Sequence, residues 1–546
     1  MEKRFSKEQL NNLDKDFLIT LLLNMQEQLS EQTQTNIALR VQVEKLTEQI
    51  TIMNTRAFGR KSETIITNDE QLSLFDDGFN EAEAISSEQF MIEPEMKQVI
   101  IPQHTRKKRK GKREEDLSGY PTRITHHTLS EEELKDRFPE GYDKLPDEIY
   151  RKLEMIPASF EVHEHHIAVY KGKNGKVAKA EHPKEMLNNS IATPSLVAAI
   201  IHAKYTNGMP LYRQEQDCAR NEVNLSRQTM ANWVITASER YLSLVYDKIK
   251  EEIKQGHIIH ADETPVMVTK DGRKGMHKNY MWVYRTGDMC KANPAVLYDY
   301  QKTRKADAPR NFLKGFKGKL VCDGYQVYHA LENESDTEFQ VAGCWAHARR
   351  PFAEIVKSLK DEKAVGTVAH EALIQIQNIY HTDNSLKKLP PSKRRTQRKV
   401  LVKPLVDHYF EWAKDSLSRV PPSSATTAGI KYSLNQEKYL KTFLTDPEIP
   451  LDNNLAEQAI RPFCVGKKNW KLIDTVNGAK SSAMLYSIVE TAKANELNIY
   501  QYFKHLLTEI PKHMDDTNLD FLDKMLPWSK ELPEICHKKS QPQKTK

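Results

Sequence analysis

The stretch from His257 to Tyr328 constrains the fold more than any other part of the chain. Three strand-like runs, HIIHADETPVMV from His257, YMWVYRT from Tyr280 and AVLYDY from Ala295, are separated by short polar turns. This pattern predicts an antiparallel meander. A helical stretch at Thr303–Leu313 then leads into GKLVCDGYQVY, a further strand running into a turn. Two aspartates stand in corresponding places. Asp262 interrupts the apolar run of the first strand, and Asp323 follows the apolar run Leu320–Cys322. Either one alone is most simply a turn or cap residue. Two strands side by side, each ending in a carboxylate, can instead hold divalent cations, which favour oxygen ligands and keep positions open for water and phosphate.

The β-β-β-α-β order is what an α/β ribonuclease-H-like core requires. A third acid, Glu457, lies in LDNNLAEQAIRPF, where Leu455, Ala459 and Phe463 share one helix face and Glu457 and Arg461 project on the other. Two local readings compete for it. Asn454-x-x-Glu457 has capping-box spacing, and Glu457 with Arg461 has the spacing of an i,i+4 ion pair. Just beyond, Lys467, Lys468 and Trp470 bring cations and an aromatic ring beside the same site. Such a group suits phosphate binding and base stacking, or an ordinary basic turn next to a core tryptophan.

Upstream, residues 7–56 contain neither proline nor glycine, and Leu18, Leu22, Met25, Leu29, Leu39, Val43, Leu46, Ile50 and Met53 follow alternating steps of four and three. Gln32 and Asn36 occupy the two remaining slots. This heptad seam predicts a coiled coil over 7–60 and self-association through it. A linker over 64–115 follows. It holds nine acids and no Lys or Arg between Asn68 and Met96, then the basic run RKKRKGKR at 106–113, in which Arg106, Lys107, Lys108, Arg109 and Lys110 are candidate phosphate contacts. Residues 116–190 form a small mixed α/β module, with a strand expected at Phe160–Tyr170 and a hairpin turn at Asn174-Gly175. Residues 191–252 are expected to be helical. Within them two helices flank a turn at Asn221–Asn224, and Ser226 caps the second, placing Arg227, Gln228 and Asn232 near its exposed start. That is the arrangement of a helix-turn-helix reader of DNA.

Composition excludes some classes. The formal net charge of the 546 residues is only +6, so nucleic-acid binding has to be argued from local clusters. The six cysteines form no CxxC pair, so spacing reveals no cysteine-based zinc site, and their scatter suits a reducing cytoplasm. The N-terminus lacks the apolar run of a signal peptide, and no stretch of about 18 apolar residues occurs. A soluble cytoplasmic protein with no membrane partner is expected.

Several blocks, in order along nearly the whole chain, carry a family resemblance. They are RAFGRKSE at 56–63, KYTNGMPLYRQEQ at 204–216, LSRQTMANW at 225–233, ADET at 261–264, DGY at 323–325, GCWAHARRPF at 343–352, LDNNLAEQAIRPFCVGKKNW at 451–470 and SIVETAKANELNIYQYF at 487–503. The chain thereby resembles the insertion sequence 66 family of bacterial transposases.

The resemblance implies that Asp262, Asp323 and Glu457 are the acidic triad of a DNA transposase, holding Mg²⁺ or Mn²⁺. It also implies that the interval of 134 positions from Asp323 to Glu457 includes a mainly helical insertion, with helices at Ala364–Tyr380 and Tyr432–Leu444 and a basic stretch at Lys393–Lys399. The expected catalytic core is then 253–354 with 449–475, the insertion 355–448, and C-terminal helices 476–528. Cys344 and His347 match a Cys-x-x-His pattern that accompanies such insertions, and are expected to support the site structurally rather than bind metal. Family members usually carry a cysteine-based zinc module after the coiled coil. Residues 117–185 have no cysteine, so this module is expected to be zinc-free and zinc is not an expected cofactor of the chain. Expected partners are the element's terminal inverted repeats, target DNA, a second copy of the chain, and element-encoded accessory proteins, at the bacterial nucleoid. A catalytically retired DNA-binding protein and a ribonuclease-H-like nuclease or resolvase are the competing readings.

Overall fold

A computed structural model of the chain describes residues 184–538, apart from Met276 and residues 360–363. Before them it describes residues 19–20, 23–35, 159–171 and 177–181, with single positions between 124 and 140. The chain divides into two compact units, one of Pro94–Glu185 with Pro533–Lys546 and one of Met1–Glu93 with Met186–Leu532.

In the first of these units, β1 (Val169–Lys171) pairs antiparallel with β2 (Val177–Lys179), as expected of a hairpin centred on Asn174-Gly175. The strand expected from Phe160 is shorter, because only its last residues find a ladder partner. Phe160 and Val162, which a packed strand would bury, are exposed. In the other unit, residues 19–20 and 23–35 are helical, with Met25 and Leu29 exposed. The rest of the expected coiled coil and the basic run from Arg106 to Lys110 lie outside the described residues.

Helix α1 (Pro194–Tyr205) begins on Thr193, whose side chain accepts from the Leu196 N–H, with proline in the first turn. Helices α2 (Leu211–Arg220) and α3 (Arg227–Ala237) form the expected pair. Ser226 caps α3 as foreseen, its Oγ accepting from Thr229 N at 3.1 Å. One wide π-turn, Ser238–Leu242, then carries the chain into α4 (Ser243–Gln255).

The central sheet contains β3 (Ile258–Lys270), β4 (Lys278–Thr286), β5 (Val296–Gln301), β6 (Lys319–Cys322), β7 (Gln340–Gly343) and β8 (Ile473–Thr475). Its spatial order is β5-β4-β3-β6-β7, with β8 joining β3. The first three strands are antiparallel, as the short turns predicted, and β6 and β7 run parallel to β3. Helices α5 (Asp307–Leu313) and α6 (Gln326–Glu332) provide the crossovers that parallel strands need. The helix expected from Thr303 starts four residues later. At the sheet edge, β5 turns its free backbone groups to α14 (Val476–Ala494). Val296 N donates to Thr491 Oγ1 at 3.0 Å and Tyr298 N to Ser487 Oγ at 2.8 Å, so hydroxyls do the work of a neighbouring strand.

Between β7 and the return to the sheet lies a helical segment whose core around Trp345, Phe352, Tyr409, Phe410 and Phe443 is continuous with Ile258, Val321 and Ala342 of the sheet. It comprises α7 (Trp345–Leu359), α8 (Val368–Ser385), α9 (Pro391–Gln397), α10 (Lys403–Ser416), α11 (Ala425–Asn435) and the short α12 (Glu437–Leu440). The helix expected at Ala364–Tyr380 is α8, shifted toward the C-terminus by its Thr367 cap. The helix expected at Tyr432–Leu444 is broken near Gln436, whose φ and ψ of −98° and 4° leave the helical region. After the break, the carbonyl of Leu440 accepts from the indole of the buried Trp345.

The basic stretch at Lys393–Lys399 is not simply a charged surface. Arg394 and Arg398 are buried on a single carboxylate, Asp383. Arg398 reaches both Asp383 oxygens, at 2.6 and 3.0 Å, and donates to the carbonyls of Phe443 and Asp446.

Candidate active site

β3 is the hub of the site. One edge is paired with β4 from Ile259 to Met267. The other pairs with β6 only at Ile258–His260 and with β8 only at Val268 and Lys270. Among the described residues, no strand covers the stretch between them, which leaves a notch in the sheet at residues 261–267. Asp262 lies at the start of that notch. It is therefore a mid-strand residue, opposite Val283 of β4, and not the strand-end acid that the sequence suggested.

The two aspartates share a register. Rungs between β3 and β6 run from Ile258↔Lys319 to His260↔Val321, an offset of 61 residues. Carried two residues further, the same offset sets Asp323 beside Asp262, since 323 − 262 is also 61. In parallel strands at equal register, alternating side chains project to the same face. Asp323 follows the last residue of β6, and its Oδ1 accepts from Tyr325 N at 3.0 Å. A Cβ at Gly324, between Asp323 and Tyr325, would stand 2.7 Å from the hydroxyl of Tyr432, so a larger residue there would have to displace that ring.

Helix α13 (Asn454–Trp470) bridges the notch and carries Glu457 in its first turn. Two β3 carbonyls within the notch accept from the helix segment rather than from a strand. Asn453 Nδ2 donates to Ala261 O at 2.8 Å, and Lys467 Nζ donates to Pro265 O at 2.9 Å. Asn453, 1% exposed, is the main bolt. Because its Nδ2 is committed to Ala261, its Oδ1 is the acceptor facing His260 Nδ1 at 2.9 Å. His260 therefore carries its proton on Nδ1, and its Nε2 is buried with no hydrogen-bond partner. Burial holds the His260 pKa down at about 4, against the lesser opposing effect of Asn453. The backbone N–H of Asn453 donates to Cys344 Sγ at 3.2 Å, which ties the start of α13 to the start of α7.

Glu457 is 5% exposed, and neither carboxylate oxygen has a hydrogen-bond partner. Both local explanations for it fail. The helix is entered from Asn453 and no side chain caps it, so the expected capping box is absent. Arg461 is exposed while Glu457 is buried, and they form no ion pair. A buried carboxylate left bare is costly unless a cation meets it. The carboxylate of Glu457 lies with Cys344 Sγ and a ring nitrogen of His347, all within 4.8 Å of one another. Asp262, Asp323 and Glu457 do not form a group that tight among the described residues.

One acid at the site escaped the sequence reading. Glu263 points opposite to Asp262 on β3, and its side chain is 2% exposed. Arg304 holds it through an ion pair, and Tyr328 donates to its Oε2 at 3.2 Å. Burial first, and Asp323 second, push its pKa up to about 7, with Arg304 opposing. Arg304 also lies 4.0 Å over the Tyr325 ring, so the segment after β5 and the turn after β6 are braced together. The alternation of β3 could have assigned Glu263 to the face opposite Asp262. Nothing in the sequence pointed to Arg304.

The other expected contacts divide. Arg227, Gln228 and Asn232 are exposed along the start and middle of α3. Lys467 and Lys468 are half-buried, and Lys467 is engaged with the sheet. Trp470 packs at its edges against Tyr205 and Tyr486, under the ammonium of Lys204. Its ring is thus part of the aromatic packing that also includes Phe463 and Tyr298. Among the described residues, no helix is long and apolar enough to cross a membrane.

Comparison with known proteins places the sequence in a family. The family model described as "Transposase IS66 family" matches residues 189–481, "IS66 C-terminal element" matches 487–528, and "Transposase C of IS166 homeodomain" matches 45–119. The uncharacterized protein y4qI of Sinorhizobium fredii (strain NBRC 101917 / NGR234) is 28% identical over 506 residues, covering 89% of each chain. The uncharacterized protein y4jD of the same strain is 28% identical over 364 residues, covering 65% of this chain and 70% of its own. With more than half of its length matched, and with the matched region containing the sheet, the notch and the helix that bridges it, the chain belongs to the IS66 family of transposases.

Proposed function

We propose that the chain binds the ends of an insertion element and performs metal-dependent DNA cleavage and strand transfer, with Asp262, Asp323 and Glu457 as the metal-holding carboxylates of a ribonuclease-H-like core. The observation that carries this reading is the parallel pairing of β3 with β6 up to His260↔Val321, which, continued two residues, brings Asp323 level with Asp262 beside a notch bridged by the helix that bears Glu457. The strand order β5-β4-β3-β6-β7, with only β4 antiparallel to its two neighbours, supports the core assignment. The helical segment that enters between β7 and α13 supports the reading of an insertion.

The residues suit a hard divalent cation such as Mg²⁺ or Mn²⁺. Three carboxylates offer only oxygen donors, and both Glu457 oxygens are buried without a partner. Bound there, a pair of such ions would polarise the scissile phosphate and favour a water or 3′-hydroxyl as the in-line nucleophile. The chain's own contribution is positioning. Asn453 fixes the height of Glu457 relative to Asp262, and the Glu263–Arg304 pair braces the turn that presents Asp323. The exposed start of α3 and the basic run at 106–110 supply end binding, and the N-terminal heptads pair two copies so that both ends are held together. Accessory proteins and a setting at the bacterial nucleoid belong to this reading.

The test is Asp323→Asn, with Glu457→Gln beside it, assayed with Mg²⁺ on labelled element-end DNA. Both variants should lose cleavage while keeping end binding. Cleavage by Asp323→Asn at the wild-type rate would refute the assignment. Nicking without joining by the unmodified chain would favour a nuclease over a transposase.

A further inference from the structure

A second cluster of metal-ligating side chains lies at the other end of β3. His257, the residue before the strand, stands five positions from Asp262, roughly 16 Å along an extended chain. Its Nε2 lies 3.1 Å from Glu448 Oε2 and 3.7 Å from Asp446 Oδ2. Cys290 Sγ completes the group, and the donor atoms of His257, Cys290 and Glu448 all lie within 4.8 Å of one another.

We propose that His257 Nε2, Cys290 Sγ, Glu448 and Asp446 form a structural site for one Zn²⁺-type ion that staples the helical segment to the sheet. The set combines an imidazole, a thiolate and carboxylates, which suits zinc and not magnesium. Tetrahedral zinc with such ligands places neighbouring donors roughly 3.3–3.6 Å apart. The two distances from His257 Nε2, 3.1 Å to Glu448 and 3.7 Å to Asp446, are close to that spacing. Cys290 Sγ lies within 4.8 Å of the His257 and Glu448 donors and has to draw in, and Asp446 stands outside that group of three.

Each ligand sits on backbone that is independently fixed. The carbonyl of His257 accepts from Lys319 N at 2.8 Å, which ties it to the start of β6. The Cys290 N–H donates to Gly287 O, and Gly287 N donates to Ile258 O, so this turn folds back over the start of β3. A Cβ at Gly287 would stand 3.1 Å from both Cys290 Sγ and Ile258 Cγ2, so a larger residue there would push on the thiol. Asp446 Oδ1 accepts from Glu448 N at 2.9 Å, and the buried Arg398 donates to Asp446 O. The ligands thus come from the strand start, the β4–β5 turn and the exit of the helical segment.

Burial pushes the Cys290 thiol up to about 11, with Glu448 and Asp446 adding to the rise. Without a cation these anions oppose a thiolate, whereas a bound divalent ion reverses that balance. Sequence spacing conceals the set, because each segment supplies a single ligand or, at Asp446 and Glu448, a carboxylate pair. The expectation of no zinc was drawn from the cysteine-free stretch 117–185 and from the absence of a CxxC pair, neither of which bears on this set, and the proposal departs from it. The proposal is independent of whether the chain cleaves DNA.

The test uses full-length protein stripped with chelator and titrated with Co²⁺ alone, followed by absorption. One equivalent should bind with thiolate-to-cobalt charge-transfer absorption and the intense visible bands of a tetrahedral ion; Co²⁺ taken up by the carboxylates around Asp262 gives no thiolate band and is not counted. Cys290→Ser should lose the charge-transfer absorption, whereas Cys344→Ser should keep it. Glu448→Gln, with circular dichroism confirming its fold, should weaken Co²⁺ binding by at least about tenfold, and this readout stands if Cys290→Ser misfolds. Absence of any thiolate band would overturn the proposal, leaving His257 an ion-pair partner only. A band lost in Cys344→Ser instead of Cys290→Ser would also overturn it, by placing the ion beside Glu457.

Discussion

Asn453→Ala isolates the bolt between the strand that bears Asp262 and the helix that bears Glu457. The substitution removes two buried side-chain hydrogen bonds, Nδ2 to Ala261 O at 2.8 Å and His260 Nδ1 to Oδ1 at 2.9 Å. It leaves the backbone bond to Cys344 Sγ in place. What remains is a His260 N–H and an Ala261 carbonyl, both on residues with no solvent exposure. Each stranded buried polar group costs about 1–3 kcal/mol, so the variant should lose roughly 2–5 kcal/mol. Urea unfolding followed by tryptophan fluorescence reads this as a lower midpoint at unchanged slope. If Asn453 also sets the height of Glu457, cleavage of element ends should fall further than the folded fraction does, while end binding persists. A loss under about 1 kcal/mol, the low end for a single stranded group, would refute the reasoning. So would wild-type cleavage from the folded variant.

Other outcomes follow from the same geometry. The His260 pKa is lowered from 6.5 to about 4 in the fold, so the unfolded chain takes up a proton that the folded one refuses. Stability held above pH 6.5 should therefore drain away as pH falls toward 4, by roughly 3 kcal/mol at about 1.4 kcal/mol per pH unit. His260→Gln should flatten that part of the unfolding-midpoint profile. Asp383→Ala leaves Arg394 and Arg398 buried without their shared carboxylate, and should destabilise by about 3–5 kcal/mol in chemical denaturation. A shift within error would mean that the arginines escape to solvent. Gly466→Ala gains helix propensity but sets a Cβ 2.1 Å from the Tyr486 hydroxyl and 2.4 Å from the Trp470 ring. A net loss of about 1–3 kcal/mol is expected from overpacking, seen as a lower melting temperature; a gain would show that the rings yield.

The legible parts of this molecule are those in which local pattern and tertiary role coincide. The meander of β3, β4 and β5 shows its strands as apolar runs between short turns, and the Ser226 cap of α3 is a purely local interaction. Where a residue serves a distant partner, the local pattern misleads. Tyr432–Leu444 has the composition of one helix, yet it breaks, and the Leu440 carbonyl beyond the break serves Trp345, 95 residues away in sequence. Arg394 and Arg398 read as surface charge, and only the fold brings Asp383 between them. Asn453 reads as one more cap-type residue in LDNN, because its partners at His260 and Ala261 lie more than 190 positions upstream.

Glu457 shows the same limit most sharply, and here the structure alters the weight of the argument. In sequence, capping and ion pairing explain it as well as metal binding does. In the fold neither interaction is made, and a carboxylate only 5% exposed keeps both oxygens bare. A chain that buries an anion without a partner either protonates it or reserves it for a cation. Protonation alone would leave the acid no reason to sit where α13 bridges the notch opened by β6 ending at Cys322. The cation site proposed above would account for both the bare oxygens and the bridging helix. Glu457→Gln separates the two: with no metal added it should unfold no earlier than the unmodified chain, because it removes a buried charge, and with Mg²⁺ it should not cut.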